Sequence, residues 1–360
     1  MALATIVDVK GSTYRRAGAR LLIPAEGDMV GNLSGGCLEG EVEGVARMVM
    51  AGGEPRTVMY DLTADDEVIW GWGLGCNGAI EVFVEPGDKA AEVADALALA
   101  LEEERSIAVA TVIETGLEGV PTGARLLVEP GGVEGSVGEA QADEAIGAAA
   151  ASALATGATA TVPIEVGGAE LRVFIEVLQP PLRMLVCGAG HDAIPLVRAA
   201  SALGWRVVVV DDRDAFLDEQ RFPGATGFVA ALPAEVAAAA GVDGRTYAVV
   251  MSHNYLRDRD YLRSLLGTEV GYIGMLGPNA RLERLLEDLG RDGVVPSAGD
   301  LAKLYGPAGL DIGAEGPDEI AASIIAEVLA TSRSRGAGFL RERPGPIHEP
   351  NRSLHAAEVP

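Results

Sequence analysis

Cysteine is scarce in this sequence: three residues in 360, with no CxxC pair among them. That excludes a disulfide-stapled scaffold and a zinc ribbon. It also leaves too few thiolates for the cysteine sets that hold iron–sulfur clusters. Aromatic residues make up only 4%, so Ala, Val and Leu must fill most of the interior. No uninterrupted apolar run reaches the length of a membrane span; the stretch 145–154 is too short and its side chains too small. No charged segment followed by an apolar one opens the chain, so no signal peptide is expected, and the thiols are expected in a reducing cytoplasm. Positive charge is short as well. Lys and Arg number 28 against 53 Asp and Glu, for a formal charge of −25. So acidic a surface repels phosphate backbones and anionic lipid, which argues against nucleic acid and membrane as partners.

Hydrophobic residues make up 48% of the chain, enough for real cores, and the length fits two domains. The pattern changes at Gln179-Pro180-Pro181, because consecutive prolines continue neither a helix nor a central strand. The expected division is therefore 1–178, 183–331 and a tail 332–360 rich in Arg, Pro and Gly. The first part reads as mixed α/β: strands at 3–9, 19–23, 56–62 and 79–84, a helix at 37–50, an Ala-rich helix from a cap at Asp88 to about Glu103, strands at 107–113 and 125–128, a loop at 131–138, a helix at 140–154 and two further strands. The second part alternates short apolar strands (184–187, 205–210, 247–251, 270–273) with helices, the signature of a doubly wound parallel sheet of Rossmann type. Pro317, with Asp318 and Glu319 beside it, opens the last helix. No internal repeat is present.

The strand 184–187 runs into Gly188-Ala189-Gly190-His191-Asp192-Ala193, a G-x-G-x-x-A turn. Gly188 permits the tight turn, Gly190 lets backbone approach a pyrophosphate, and a small third residue packs helix on strand. The following helix offers N–H groups and its positive dipole end to phosphate. Asp211 ends the next strand about 20 residues on, where a ribose-binding carboxylate belongs. With Asp212 beside it, it would disfavour a ribose 2′-phosphate, so NAD or a pterin dinucleotide is expected over NADP. The other reading is a glycine turn without a ligand. His191 either hydrogen-bonds its own loop or touches a ligand phosphate or a metal-bound group. His253, in the loop after the strand 247–251, is a candidate acid, base or ligand, against a reading as a loop histidine bonding its own backbone. The loop at 274–278 falls on the same edge, with Arg281 one helical turn further, and the loop at 309–315 precedes the last helix.

Two thiols sit between glycines: Ser34-Gly35-Gly36-Cys37 and Gly73-Leu74-Gly75-Cys76-Asn77-Gly78. Flanking glycines let backbone or ligand come close to sulfur, and a helix N-terminus favours the thiolate of Cys37. Such thiolates suit transition-metal binding or sulfur transfer, although two thiols alone do not close a metal site; a substrate could supply the remaining ligands. The alternative is two small buried apolar residues, the reading preferred for Cys187. Arg15 and Arg16 are either a solvated turn or a hold for an anionic ligand such as a pterin phosphate.

Together these segments resemble the XdhC/CoxI family. The run 11–20 (GSTYRRAGAR), then Ser34-Gly35-Gly36-Cys37 and Gly73-Leu74-Gly75-Cys76, look like its N-terminal domain. Gly188-Ala189-Gly190-His191, Ser252-His253-Asn254-Tyr255, Leu276-Gly277-Pro278 and the run 309–314 (GLDIGA) look like its Rossmann domain. The resemblance spans nearly the whole chain apart from the tail. It implies a cytoplasmic accessory protein that binds a molybdopterin-type cofactor. It would help fit that cofactor with its terminal sulfur beside a cysteine desulfurase, and pass it to a xanthine-dehydrogenase- or carbon-monoxide-dehydrogenase-type apoenzyme. On that reading Cys37 and Cys76 handle molybdenum or sulfur, and the Rossmann loop holds a pterin phosphate or a nucleotide. Asn77 departs from the glycine frequent there in the family, and the usual upstream helix is short or missing. A homodimer is expected from general frequency. The competing reading is an NAD-dependent oxidoreductase resting on Gly188, Gly190 and Asp211, with His253 or His191 as acid–base; a third is a regulatory nucleotide sensor indifferent to both thiols.

Overall fold

The computed structural model describes residues 1–11, 15–36, 38–61 and 78–344. The chain divides into two compact units, Met1–Pro180 and Pro181–Glu342.

In chain order the first unit contains β1 (Ala2–Gly11), β2 (Arg20–Ile23), β3 (Val30–Gly31), α1 (Glu39–Gly52), β4 (Arg56–Asp61), β5 (Gly78–Pro86), α2 (Gly87–Ala91), α3 (Ala94–Glu102), β6 (Ile107–Thr115), β7 (Arg125–Glu129), β8 (Gly132–Gly135), α4 (Ala140–Thr156), β9 (Ala160–Val166) and β10 (Ala169–Leu178). They form two antiparallel sheets, ordered β3-β2-β1-β5-β4 and β8-β7-β6-β10-β9. Strand alternation sends Ile80, Val82 and Val84 toward Val42, Ala46 and Val49 of α1, while Phe83 meets Val7, Ile113 and Phe174 between the sheets. Leu171, Val173 and Ile175 of β10 likewise pack on Ile146 and Ala150 of α4. The layers are thus helix, sheet, sheet, helix.

The inner layer also holds buried carboxylates: Glu85 is 2% exposed, Glu81 6% and Glu176 8%. Burying an ion costs several kcal/mol unless it is paired, and each has an arginine. Arg172 donates to Glu81 at 2.8 and 2.6 Å, Arg125 to Glu85, and Arg20 to Glu176 at 2.9 Å.

The second unit contains β11 (Arg183–Cys187), α5 (Ala193–Ala202), β12 (Arg206–Asp211), β13 (Gly227–Ala230), α6 (Val236–Ala239), β14 (Thr246–Val250), α7 (Tyr255–Leu265), β15 (Tyr272–Met275), α8 (Asn279–Arg291), α9 (Ala298–Ala302), β16 (Leu304–Tyr305) and α10 (Pro317–Ser332). Its six strands are all parallel in the order β13-β12-β11-β14-β15-β16, which is the Rossmann order. Leu196, Val197, Ile324 and Val328 of α5 and α10 cover one face. Val236, Tyr261, Leu262, Leu285 and Leu289 of α6, α7 and α8 cover the other. Both faces being buried, the central strands read as apolar runs rather than alternations.

Several elements differ from expectation. The Ala-rich helix is two, α2 and α3. Pro86 rather than Asp88 stands at the cap position of α2, without a side-chain bond, and Asp88 lies in the first turn. The loop expected at 131–138 contains the exposed edge strand β8. β15 begins two residues later than expected, where pairing with β14 aligns Tyr272 with Tyr247. A single turn of 3₁₀ helix, Leu340–Glu342, follows α10 in the segment expected as an arm. Among the described residues, no helix is long and apolar enough to cross a membrane.

Candidate functional site

Strands β11 and β14 lie side by side at the point where the strand order reverses, the place where open α/β sheets bind ligands beyond the carboxyl ends of their strands. Gly188 leaves β11 with φ 115°, and a Cβ there would stand 2.7 Å from the Cα of Ser252 in the loop after β14. Only glycine fits at that crossing. A Cβ on Gly190 would meet nothing nearer than His253 Cδ2 at 3.9 Å. Gly190 therefore leaves room for something other than protein backbone. The N–H of Gly188 bonds Val210 O at 2.8 Å and that of Ala189 bonds Asp211 Oδ2 at 2.8 Å. Contrary to the sequence expectation, the first N–H groups of α5 are taken by the loop itself: Ala193 bonds Gly190 O at 3.3 Å and Ile194 bonds His191 O at 3.1 Å. The N–H groups of Gly190 and His191 find no acceptor among the described residues. The two N–H groups without an acceptor thus lie in the loop, ahead of the helix.

The structure brings Gly188, Gly190, His191, Asp211 and His253 to this one edge. His191 is exposed. His253 has φ 57°, an unusual conformation for a non-glycine residue, and its Nε2 lies 3.0 Å from Asp192 Oδ2. Asp192, which sequence reasoning passed over as a variable position of the turn, thereby ties the histidine to the glycine loop. Beneath them Asp258, 1% exposed, accepts from Ser252 N at 3.2 Å and from Arg281 Nη2 at 2.6 Å. Asn254 caps α7 by accepting from Leu256 N and Arg257 N at 3.1 Å. Cys187 lies fully buried at the end of β11, and burial together with the charge of Asp258 pushes its thiol up. The expectation that it is a core residue holds.

Asp211 is 1% exposed. Burial opposes its ionisation. Hydrogen bonds from the Arg213 side chain and from the N–H groups of Ala189 and Arg213 outweigh that and hold the carboxyl below its usual range. Arg213 stacks on Phe216, 3.9 Å from the ring centroid, and Arg221 lies on the same ring at 4.9 Å. Neither arginine was singled out in the sequence. The available signal was a cation two residues past the strand-end acid.

In the first unit, Arg15 and Arg16 are exposed in the connection between β1 and β2, where Arg16 O accepts from Ala19 N at 3.2 Å. Cys37 and Cys76 lie outside the described residues, as does the second glycine-rich loop. The first loop is described up to Gly36 and is organised by Glu39, another residue that sequence reasoning missed. Its Oε1 accepts from Leu33 N at 3.1 Å and Ser34 N at 2.9 Å. Its Oε2 accepts from Ser34 Oγ at 2.7 Å, Gly36 N at 3.0 Å and Leu38 N at 3.1 Å. Burial works against the charge, yet the bonds from Ser34 and the loop backbone lower the carboxyl to about 2. Among the described residues, no group of three His, Cys, Asp or Glu side chains is arranged to hold a metal.

Comparison with known proteins follows this division. The sequence profile of the XdhC Rossmann domain matches residues 184–328, and that of the XdhC and CoxI family matches residues 1–61 and 100–165. A Bacillus subtilis (strain 168) protein, named as one of the probable subunits of a xanthine dehydrogenase, is 31% identical over 334 residues, covering 92% of this chain and 93% of that one. The uncharacterized protein YqeB of Escherichia coli (strain K12) is 30% identical over 173 residues, 48% of this chain and 31% of its own. A crystal structure described as a xanthine dehydrogenase from Bacillus halodurans is similar with a TM-score of 0.76 at 32% identity, over 95% of this chain and 94% of that one.

Proposed function

The chain belongs to the XdhC and CoxI family, and from that premise we propose that it is an accessory protein of a xanthine-dehydrogenase- or carbon-monoxide-dehydrogenase-type enzyme. Its cargo is a molybdopterin-type cofactor, which it shelters, presents to a cysteine desulfurase for terminal sulfur, and hands to the apoenzyme in the cytoplasm. One observation carries this reading. The chain matches, nearly end to end, a protein named for xanthine dehydrogenase, yet its three cysteines are too few to carry the iron–sulfur clusters of an electron-transfer protein.

The residues have distinct parts on this reading. Cys37 and Cys76 offer thiolates to the metal or to the sulfur in transit. Glu39 fixes the loop that leads to Cys37 by taking five of its donors. Arg15 and Arg16 supply positive charge to the pterin phosphate. The N–H groups of Gly190 and His191 meet the phosphates of a nucleotide or of the pterin. Purification from cells that make the cofactor, followed by fluorescence of the oxidised pterin, tests the reading. The expected result is bound pterin in the parent protein and its loss in Cys37→Ser and Cys76→Ser. A parent protein free of pterin would overturn it.

A second reading, an NAD-dependent oxidoreductase, draws on the pairing of His253 with Asp192 beside Gly190. A carboxylate partner orients an imidazole, as an acid–base residue requires. Failure of nicotinamide nucleotides to bind would remove this reading and leave the first intact.

A further inference from the structure

We infer that the cradle of the second unit selects a dinucleotide that carries a 2′-phosphate on its ribose, and that Arg213 is the residue that reads it. The inference rests on reading that cradle as a nucleotide site.

In a Rossmann domain the acid at the end of the second strand accepts hydrogen bonds from the ribose hydroxyls, and an arginine nearby serves a 2′-phosphate instead. Asp211 occupies the acid's place but has no capacity left. A carboxylate has about four lone-pair sites. Oδ1 accepts from Arg213 N at 3.0 Å and Arg213 Nε at 2.8 Å. Oδ2 accepts from Ala189 N at 2.8 Å and Arg213 Nη2 at 2.8 Å. A ribose diol would have to displace one of these, and Asp211 is already sealed from solvent.

The group presented at this edge is the arginine. Arg213 engages Asp211 through Nε and Nη2, which leaves its Nη1 hydrogens unspent on the carboxylate, and its side chain is 37% exposed. The ring of Phe216 supports its plane. Arg221 shares that ring and donates to Ala189 O at 3.1 Å, so it is tied to the glycine loop itself. The neighbouring acid, Asp212, is engaged by Arg257 at 3.0 Å. Asp211 and Asp212 thus each carry a guanidinium, and Arg221 stands beside them, where the ribose end of a dinucleotide would lie. Asp211 and Asp212 in the sequence argued against a 2′-phosphate; their pairing in the fold reverses the sign of the argument.

Titration of the full chain with NADPH and NADH, followed by protein fluorescence or calorimetry, tests this. The expected result is tighter binding of NADPH by about tenfold or more, the scale of a lost charge-assisted contact. Adenosine 2′-monophosphate should compete and adenosine 5′-monophosphate should compete less well. Arg213→Ala should erase the preference by weakening NADPH while leaving NADH equal or improved, because Asp211 is released. Should that variant not fold, the ratio in the parent protein and the two competitors still decide. NADH binding as well as or better than NADPH overturns the inference while sparing the nucleotide site. Binding of neither overturns the nucleotide reading and the inference with it.

Discussion

Two glycines of one loop answer to different masters. At Gly188 both the backbone conformation and the 2.7 Å approach of Ser252 exclude a Cβ, so Gly188→Ala should lower unfolding stability. The conformation alone costs about 1–3 kcal/mol, measurable by urea denaturation. Gly190 meets nothing within 3.9 Å, so Gly190→Ala should keep stability within about 0.5 kcal/mol and weaken nucleotide binding. The reverse pattern would contradict the assignment of these roles. Glu39 carries a prediction in pH. Its folded carboxyl lies at about 2 against an ordinary 4.5, so its stabilisation is full above 4.5 and disappears as pH falls toward 2. Glu39→Gln should make the acid unfolding curve flatter in that window and destabilise the protein at neutral pH by about 1–3 kcal/mol, the worth of hydrogen bonds to a charged group. The motif residues at the Rossmann edge were legible because glycine spacing has a geometric cause. Asp192, Arg213 and Glu39 were not, because their importance comes from partners that only the fold supplies.

At the scale of elements, α7 illustrates a local device with a distant effect. Asn254 satisfies two N–H groups of its first turn, and the same helix carries Asp258 and Arg257 to the sheet edge. Asn254→Ala should cost about 1 kcal/mol, and hydrogen exchange should show the loss concentrated in 252–258 rather than spread across the sheet. Strands buried on both faces, such as β11 and β14, were readable as apolar runs, and α1 and α4 as helical periodicities. What escaped were elements with little apolar pattern. β8 is fully exposed; β13 and β16 are edge strands of four and two residues, too short to show a period. The expected helix 88–103 failed for another reason. An Ala-rich sequence propagates a helix without saying where one ends, and Val93 at the break is not a residue that announces it.

At the scale of the whole molecule, the sequence conveyed the two-part composition and the Rossmann character of the second part more fully than the architecture of the first. Nothing in composition announces that one unit stacks two antiparallel sheets over a layer of Arg–Glu pairs. Those residues are 40 to 156 positions apart, and in the sequence they look like ordinary surface charge. The central strand of the other unit offers a way to watch that unit open. Cys187 has neither solvent access nor an accessible thiolate. In a chain where Cys37 and Cys76 are replaced by serine, it becomes a built-in clock. A thiol reagent should label it only as often as the parallel sheet parts, so the labelling rate measures the opening equilibrium. Prompt labelling of the folded chain would mean that the sheet breathes far more than its packing implies.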